Sequence, residues 1–528
     1  MTATSAPGTA PGASGTEPDR LPRVLRALAV VERLGNALPH PFWLFWILAG
    51  ILGVVSAGLA AAGVSVISPA DGEKVVVQNL LSGEGLAMAV STAVDNFATF
   101  GPMGTIVAVI MGVAIAERTG FLSAAMKVSV SRVPVSWVVF AVAFAGTVSH
   151  VASAAAYIIL VPLGGLAFRA VGKSPILGVV VAYTSIASGY DASPVPTPND
   201  AIFAGITTEA ARIIDPAAYV SPVSNWYFNI GSSLLLAIVI TLVTNLVLAK
   251  RPDLDADADA DLDDVASLEL SPRDRSALRA ALLSGLGAIL VVAAVVLPPS
   301  SPLRGPGGSL TESPFLDGIA ALVAVLFALV GIVYGWRSGA ITAPADVPRL
   351  MAEGVRQMAE GVRQMAPVLV LFFAIAQFLA YFDWTHIGDV IAVNSAEALE
   401  STGVPIWVVF LAILALLSVV NVLVTSGSAM WALAAPIVVP MLMLLEVPAE
   451  TTQALFRIAD SGSTAITPMS PYFIMALGFL QRYRKSAGIG TLASYTLPLA
   501  VCMTLAWTCL FFAWWALGIP LGPGASVR

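Results

Sequence analysis

The sequence predicts an all-α polytopic membrane protein, and two observations support this fold class. Of the 528 residues, 57% are hydrophobic and only 11% are charged, and the mean hydropathy is +0.86. Apolar runs of about 17 residues or more recur along the chain, and about 20 helical residues cross a hydrocarbon core about 30 Å thick. Length alone would indicate several soluble domains, and this composition excludes that organisation.

The N-terminal segment differs from the rest of the chain. Residues 1–20 are mostly Thr, Ala, Pro, Gly and Ser and lack the apolar core of a signal peptide, so we predict a disordered tail over 1–30. A membrane domain then occupies 31–528. The first span, 42–64, begins with aromatic residues and follows four arginines: Arg20, Arg23, Arg26 and Arg33. By the positive-inside rule, the N-terminus is therefore cytoplasmic.

The later apolar segments predict the remaining helices in order. Loop 66–100 carries one lysine, is expected to be external and contains an amphipathic segment at 84–98. Further spans are predicted near 102–117, 149–170, 174–212 (with a polar interruption), 227–249, 277–298, 316–336 and 491–518. Basic residues at 482–485 place the turn before the last span on the cytoplasmic side.

Two pairs of shorter apolar pieces predict re-entrant hairpins. Segments 120–131 and 135–148 are separated by Arg132 and Pro134, and each is too short to cross a bilayer comfortably. Segments 367–382 and 406–420 flank a polar loop and could form a second hairpin.

Two polar segments lie between the spans. The acidic loop 250–275 contains the run D-L-D-A-D-A-D-A-D-L-D-D at 253–264, which predicts a solvated, disordered loop. The amphipathic stretch 343–365 contains M-A-E-G-V-R-Q twice in succession. Seven residues add almost two helical turns, so the duplication is expected to lengthen a surface helix without changing its face.

The stretch 421–471 combines an apolar background with an unusual number of polar residues. It includes Asn421, Ser428, Arg457 and Asp460, and four prolines are predicted to interrupt its helices: Pro436, Pro440, Pro468 and Pro471. Ionisable groups at bilayer depth are costly and by default indicate a functional site. The alternative is a structural Arg457–Asp460 pair one helical turn apart.

A similar order of residues occurs in the first half of the chain. There, Ser153, Tyr157 and Pro162 are followed by Asp191 and a proline-rich segment; in the second half, Ser428, Trp431 and Pro436 are followed by Asp460 and Pro468. This correspondence predicts two related repeats, at about 102–249 and 316–518. Interrupted segments in matching positions of a transporter-like chain indicate the binding site.

The residue types in these segments suggest distinct roles. Free carbonyls at a broken helix can bind Na⁺, and half-helix N-termini favour an anionic group. Arg457 could bind a substrate carboxylate in a bidentate geometry, or it could neutralise Asp460. Trp431 could stack on an aromatic substrate, or it could face lipid or the core.

Several ordered motifs carry a resemblance to a known family. They are V-E-R-L-G-N-A-L-P-H-P at 31–41, A-G-I-T-T-E-A at 204–210, S-G-S-A-M-W-A-L-A-A-P at 426–436, R-I-A-D at 457–460, T-P-M-S-P-Y-F at 467–473, F-L-Q-R-Y at 479–483, G-I-G-T-L at 488–492 and G-I-P-L-G-P-G at 518–524. In these motifs the chain resembles the p-aminobenzoyl-glutamate transporters, a family that includes bacterial antimetabolite (sulfonamide) efflux pumps. The resemblance extends over about 31–524.

The resemblance implies a homodimer in the bacterial inner membrane, with about nine spans, two re-entrant hairpins and inverted repeats in each protomer. It implies export or uptake of p-aminobenzoyl-glutamate, related folate-breakdown products or sulfonamides, driven by Na⁺ or H⁺, with no other cofactor and no nucleic acid partner. By position, it implies substrate-binding residues at Ser428, Trp431, Arg457, Asp460, Pro468 and Asp200, and it implies Asn421 and Asp460 as ion-coupling residues and candidate Na⁺ ligands. The residues of the first half add Ser153 to the predicted substrate site and Asp191, His150 and Ser193 to the predicted ion-coupling residues.

The chain departs from the family pattern at several of these positions. The motif S-N-x-A-S-D-A is S-H-V-A-S-A-A at 149–155, so that His150 and Ala154 replace Asn and Asp. G-F-S-A-N is G-Y-D-A-S at 189–193, which makes Asp191 and Ser193 unusual, and Met430 occupies a position expected to be lysine. Because histidine titrates near neutral pH, we hypothesise that this member uses H⁺ rather than Na⁺.

Several other functions are alternatives to a secondary transporter of aromatic-amide carboxylates. A dicarboxylate or other small-anion importer could share the architecture. An intramembrane enzyme would need a catalytic pair such as Asp191 and Asp460, but neither lies in a G-x-G-D motif. A passive channel is a further alternative, and the absence of a Walker motif argues against ATP-driven transport by this chain.

Overall fold

The computed structural model describes residues 41–67, 74–99, 102–131, 133–152, 154–255, 257, 270–305, 308, 313–352, 366–424, 426–468 and 470–528. The predicted tail, most of the acidic run and all but two residues of the duplicated segment lie outside these ranges. Within them, helices dominate, as the sequence predicts.

The chain begins with a long helix and a small peripheral region. Helix α1 (Pro41–Ala61) is followed by the antiparallel strands β1 (Ser65–Ile67) and β2 (Lys74–Val76), in which Val66 pairs with Val75. Two short helices, α2 (Gly83–Ser91) and α3 (Ala93–Ala98), then occupy the segment predicted to be amphipathic.

The first predicted repeat contains seven α-helices within the described residues. They are α4 (Pro102–Arg118), α5 (Phe121–Ser131), α6 (Val138–Val148), α7 (Ala154–Ala170), α8 (Pro175–Ala187), α9 (Pro198–Ala211) and α10 (Trp226–Leu246). A 3₁₀ turn, Ser149–Ala152, joins α6 to α7. The predicted interruption of 174–212 is confirmed, since residues 188–197 connect α8 and α9 without helix.

The rest of the chain follows the same pattern of long and short helices. The elements are α11 (Pro272–Val296), α12 (Pro314–Asp317), α13 (Ile319–Ser338), α14 (Ala366–Trp384), α15 (Ile387–Thr402), α16 (Ile406–Leu423), α17 (Gly427–Met443), α18 (Ala449–Thr464), α19 (Pro471–Tyr483) and α20 (Ile489–Leu517). The structure corrects one prediction here, because the segment between the arms of the second hairpin is not a loop but helix α15.

The apolar helices explain why this chain requires a membrane. Among the described residues, α1, α10, α11, α13 and α20 are long and apolar enough to cross a bilayer. Helix α11 exposes a row of large apolar side chains: Leu282, Leu283, Leu286, Ile289, Leu290 and Val291. A surface of this kind on a long helix is stable only against lipid or another protein.

The hairpin arms α5 and α6 have 11 residues each. At 1.5 Å per residue each is about 16 Å long, roughly half the hydrocarbon thickness. The two helices contact each other, as arms of a hairpin would. The two re-entrant hairpins and the total of nine spans remain predictions.

The predicted proline interruptions are only partly correct. Pro436 and Pro440 lie inside α17, which continues through both of them. Membrane helices tolerate internal proline because neighbouring groups satisfy the freed carbonyls. The backbone instead leaves the helical path before α17, at Val424, whose φ of −106° and ψ of 91° are extended. It leaves again after α18, in the segment that contains Pro468.

Helix α18 is the polar centre of the molecule. Every residue from Thr451 to Ser463 is buried, although the helix carries many polar side chains. It packs against α9 from the first half and against α16, α17 and α20 from the second. The polar face of α18 therefore lies inside the protein rather than at a surface.

The start of the acidic loop is also ordered, contrary to the prediction of a solvated run. Arg251 Nε and Nη2 donate to the Asp253 carboxylate at 2.9 and 3.0 Å, and Arg484 Nη1 lies 3.3 Å from the same group. The backbone N–H of Asp257 donates to the Tyr483 carbonyl at 2.8 Å. These contacts fasten the loop to the turn between α19 and α20.

Candidate functional site

Arg457, in the middle of α18, organises the candidate site. Its side chain is 1% exposed, and its Nη2 lies 2.7 Å from Asp200 Oδ1. Its Nε donates to Asn225 Oδ1 at 3.0 Å, and its Nη1 is 3.5 Å from the Asp191 carbonyl oxygen. All three partners come from the first half of the chain, so this one guanidinium connects the two predicted repeats.

Both carboxylate oxygens of Asp200 already have partners. Its Oδ2 accepts from the Thr197 N–H at 2.7 Å and from the Thr197 hydroxyl at 2.8 Å, while Thr197 caps α9 in return. Its Oδ1 binds Arg457. The interpretation that Arg457 simply neutralises Asp460 is therefore wrong, because the ion-pair partner of Arg457 is Asp200.

Trp431 lies in a buried aromatic layer beside this ion pair. Its ring stacks on Phe456 with a centroid distance of 4.4 Å and an interplanar angle of 24°, and its Nε1 donates to the Thr207 hydroxyl at 2.9 Å. The Thr207 hydroxyl is also 2.6 Å from the Gln453 amide. Trp431 thus belongs to the core rather than to a lipid-facing surface, with one ring face already occupied.

Asp460 lies at the N-terminus of α17. A Cβ atom on Gly427 would come within 2.5 Å of Asp460 Oδ2, so only glycine leaves room for this carboxyl group. The partial positive charge of a helix N-terminus stabilises a carboxylate at this position. Ser428 is the next residue, and its hydroxyl is 3.5 Å from that of Ser426.

Asn421, at the end of α16, contacts the same part of α18. Its Nδ2 donates to the Asp460 carbonyl and to the Ser463 hydroxyl, the latter at 2.9 Å. Its Oδ1 is buried and has no hydrogen-bond partner among the described residues. An unpaired buried oxygen beside a helix break is the kind of group that a hard cation such as Na⁺ binds.

Asp191 meets α18 from the loop between α8 and α9. Its backbone N–H donates to the Ser461 hydroxyl at 3.1 Å, and its Oδ2 is 3.4 Å from the same hydroxyl. Ser461 directly follows Asp460 in α18, so Asp191 contacts α18 next to Asp460. Ser193, by contrast, turns inward to its own loop, where its hydroxyl donates to the Val195 carbonyl at 2.7 Å.

His150 lies at the edge of the site, in the 3₁₀ turn. Its ring is buried and meets the Tyr190 ring edge-on at 4.8 Å. Neither ring nitrogen has a regular hydrogen bond within the described part of the chain, although the backbone of Ile186 is nearby. Tyr157 and Tyr472 stack face to face in the same region, 4.1 Å apart.

The structure brings most of the predicted residues together. Arg457, Asp460, Asp200, Asp191 and Asn421 form one connected network, and Trp431 joins it through Thr207 and Gln453. Pro468 is partly buried in the segment that follows α18, with no direct contact to this network among the polar contacts described. Ser153 lies outside the described residues.

Two polar partners in this network, Asn225 and Gln453, were not among the residues predicted from the sequence. Gln453 could have been found, since it precedes Arg457 by four residues and Ser461 by eight and therefore shares their helical face. Asn225 lies directly before the apolar run of α10, where it resembles an ordinary N-cap. Its side chain instead bridges Arg457 and the Glu450 carbonyl.

Comparisons with known proteins agree with this geometry. The model of the AbgT putative transporter family matches residues 26–528. The p-aminobenzoyl-glutamate transport protein of Escherichia coli (strain K12) is 38% identical over 499 residues, covering 94% of this chain and 96% of that protein.

Two solved structures share the fold. The YdaH transporter of Alcanivorax borkumensis is 36% identical, with a TM-score of 0.84 over 92% of this chain and 100% of that one. MtrF of Neisseria gonorrhoeae, which illustrates a class of antimetabolite efflux pumps, is 36% identical, with a TM-score of 0.88 over 95% of this chain and 100% of that one. These relatives are transporters and not enzymes, and the predicted fold class and resemblance are confirmed. The chain belongs to the AbgT family of membrane transporters.

Proposed function

We propose that this protein is a secondary active transporter of p-aminobenzoyl-glutamate-like aromatic carboxylates, sulfonamide antimetabolites or both, driven by a proton or sodium gradient. The observation that carries the proposal is the buried network around Arg457, in which one guanidinium connects both halves of an apolar protein. Burying charged groups inside a membrane protein costs free energy, so their presence in this network indicates a functional site. Movement of the two halves relative to each other would have to rearrange these contacts.

The network offers separate groups for the two ends of such a substrate. Arg457 supplies a buried guanidinium, a group that pairs well with carboxylates, and the α17 N-terminus with Ser428 favours an anion. Trp431 and Phe456 form an aromatic layer for a ring. We assign substrate contact to Ser428, Trp431, Arg457, Asp460, Pro468 and Ser153. Asp200 is assigned a positioning role, since both of its oxygens are already bound.

The coupling ion would bind beside the substrate. Asn421 Oδ1 and the Asp460 carboxyl supply the oxygen ligands that Na⁺ prefers, whereas Asp191 and Asp460 could instead carry a proton. We expect His150 and Ser193 to shape the loop beside Asp191, because neither side chain is directed at Asp460 by a described contact. We also propose a homodimer in the bacterial inner membrane with a cytoplasmic N-terminus.

Ligand binding to the purified protein in lipid nanodiscs tests this proposal. The ligands are p-aminobenzoyl-glutamate, a sulfonamide and succinate, each titrated against the parent protein, Asp460→Asn and Trp431→Leu. We expect the two aromatic ligands to bind the parent and to bind each variant at least tenfold more weakly. Asp389→Asn is the matched control, because Asp389 pairs with His386 at 3.0 Å and belongs to none of the contacts described for the site, so this variant should bind like the parent.

A dicarboxylate importer is the second candidate, and one observation favours it. Phe456 already covers one face of the Trp431 ring, and the Thr207 hydroxyl already accepts from its N–H. Binding of a compact anion would therefore rearrange these contacts less than binding of an aromatic ring. Binding of succinate without binding of either aromatic ligand would establish this alternative. Binding of none of the three would refute both substrate assignments.

A further inference from the structure

We propose that a cluster of tyrosines next to the Arg457 network binds the aromatic amine that p-aminobenzoyl and sulfonamide ligands share. This tyrosine site consists of Tyr157 on α7, Tyr183 on α8, Tyr190 in the loop after α8, Tyr472 on α19 and His150 in the 3₁₀ turn. The inference rests on the proposed function and deepens it, because it names the part of the substrate that is recognised and the groups that recognise it.

The rings of the tyrosine site pack against one another across the two halves of the chain. Tyr157 from the first half stacks on Tyr472 from the second, with centroids 4.1 Å apart and an interplanar angle of 3°. Tyr183 lies 6.2 Å from Tyr157, and His150 meets Tyr190 edge-on at 4.8 Å. Tyr190 and Tyr472 are half-buried, whereas Tyr157, Tyr183 and His150 are at most 4% exposed. The site therefore combines partly accessible rings with a buried interior.

The buried interior holds polar atoms without partners. The hydroxyl groups of Tyr157 and Tyr183 have no hydrogen-bond partner among the described residues, and the ring nitrogens of His150 have no regular one. Buried polar side-chain atoms are nearly always hydrogen-bonded, because an unmade bond leaves the loss of water uncompensated. Three such side chains among aromatic rings indicate that a ligand supplies the missing partners.

An aromatic amine has the chemistry that these groups need. Its N–H groups are donors, while a tyrosine hydroxyl and the unprotonated nitrogen of a neutral imidazole are acceptors. Its ring packs favourably against the faces and edges of other aromatic rings. Trp431 cannot provide this recognition, because its one polar group already donates to the Thr207 hydroxyl and Phe456 covers one of its faces.

The tyrosine site also lies close to the cation of the network. Tyr190 directly precedes Asp191, whose carbonyl oxygen is 3.5 Å from Arg457 Nη1. Tyr472 is the second residue of α19 and follows the segment that contains Pro468. Two binding groups this close suit an elongated ligand with a carboxylate at one end, held by Arg457, and an amine on a ring at the other.

A pair of matched ligands, titrated against the protein in lipid nanodiscs, tests the inference. Benzoyl-glutamate is p-aminobenzoyl-glutamate without the amine, so the ratio of the two dissociation constants measures recognition of the amine. The parent should bind benzoyl-glutamate about tenfold more weakly, the effect of one or two hydrogen bonds. Tyr157→Phe should lower this ratio, and Tyr157→Phe combined with Tyr183→Phe should bring it near unity without weakening benzoyl-glutamate itself.

Controls separate recognition from folding, since a variant that only folds less well loses both ligands equally. Tyr381→Phe removes the hydroxyl of a largely buried tyrosine on α14, outside the tyrosine site, and should keep the parental ratio. Tyr472→Leu removes a stacking ring and should weaken both ligands, whereas Tyr472→Phe keeps the ring and should bind like the parent. If the double variant does not fold, the single variants Tyr157→Phe and Tyr183→Phe decide the same question.

The outcomes distinguish this inference from the proposed function. A parental ratio in the double variant, or in both single variants, overturns the inference and leaves the proposed function standing. Equal binding of the two ligands by the parent, or undiminished binding by Tyr472→Leu, overturns it in the same way. A parent that binds neither ligand and no sulfonamide refutes the proposed function and this inference with it.

Discussion

Replacing Arg457 with methionine removes the buried cation and leaves Asp200 without its partner. The two side chains are 1% and 5% exposed, and the shortest nitrogen–oxygen distance between them is 2.7 Å. Breaking a buried ion pair by removing one partner costs about 3–5 kcal/mol, because an uncompensated charge remains inside the protein. We therefore expect Arg457→Met to lower the free energy of unfolding by about this amount.

Arg212→Met is the matched control. Arg212 pairs with Glu209 at a similar distance, 3.1 Å, but the two side chains are 45% and 32% exposed. Exposed pairs contribute about 0–1 kcal/mol, since water and salt screen them. Arg212→Met should therefore change the free energy of unfolding only slightly. The difference between the two variants then reports the effect of burying the ion pair rather than of losing an arginine.

A double substitution separates the buried charge from the loss of contacts. Asp200→Asn keeps an oxygen that can accept from the Thr197 N–H, so the start of α9 should survive. Combined with Arg457→Met, it removes both charges, and the double variant should be more stable than Arg457→Met alone. The reason is that a buried pair replaced as a unit leaves no unpaired charge.

Equilibrium unfolding in mixed detergent micelles, followed by tryptophan fluorescence, compares the parent with Arg457→Met, Arg212→Met, Asp200→Asn and the double variant. The reasoning is refuted if Arg457→Met destabilises no more than Arg212→Met. It is also refuted if the effects of Arg457→Met and Asp200→Asn simply add in the double variant, because contacting charges must be coupled.

Two further predictions concern Asp460 and the ordered start of the acidic loop. Gly427→Ala should destabilise the protein by about 1–3 kcal/mol, because the added Cβ would lie 2.5 Å from Asp460 Oδ2. The control Gly478→Ala, where the added Cβ on α19 meets no atom within 4 Å, should stabilise the protein by up to about 1 kcal/mol. Equal effects of the two substitutions on thermal unfolding would contradict the packing argument. Hydrogen bonding from Arg251 holds the pKa of Asp253 below its ordinary value, so this contact stabilises the folded loop above about pH 4 and is lost as the pH falls toward the lowered pKa. Protection factors for amide exchange at 251–257, which are corrected for the intrinsic effect of pH, should therefore fall in acid in the parent. In Asp253→Asn they should be low already at neutral pH, and high protection in that variant would show that Asp253 does not hold the loop.

Much of the candidate site could be predicted because its signals are local. Arg457 and Asp460 are ionisable residues in an apolar stretch, and this contrast is visible without a structure. The interruption at 188–197 is equally local, since Gly189, Pro194 and Pro196 all disfavour helix within ten residues. The errors have the same origin: prolines at 436 and 440 looked like breaks, but the packing of neighbouring helices around α17 allows the helix to continue.

The sequence by itself determined that this is a helical membrane protein, which family it belongs to and which polar residues are candidate site residues. Composition, hydrophobic runs and ordered motifs are properties of the chain alone. Only the tertiary structure decided that Arg457 binds Asp200 rather than the nearby Asp460, that Asn225 and Gln453 complete the network, and that Asp191 contacts Ser461. The physical reason is that each of these partners lies on a different helix or loop. Which buried charges meet depends on how α9 and α18 pack, and no local periodicity specifies that contact.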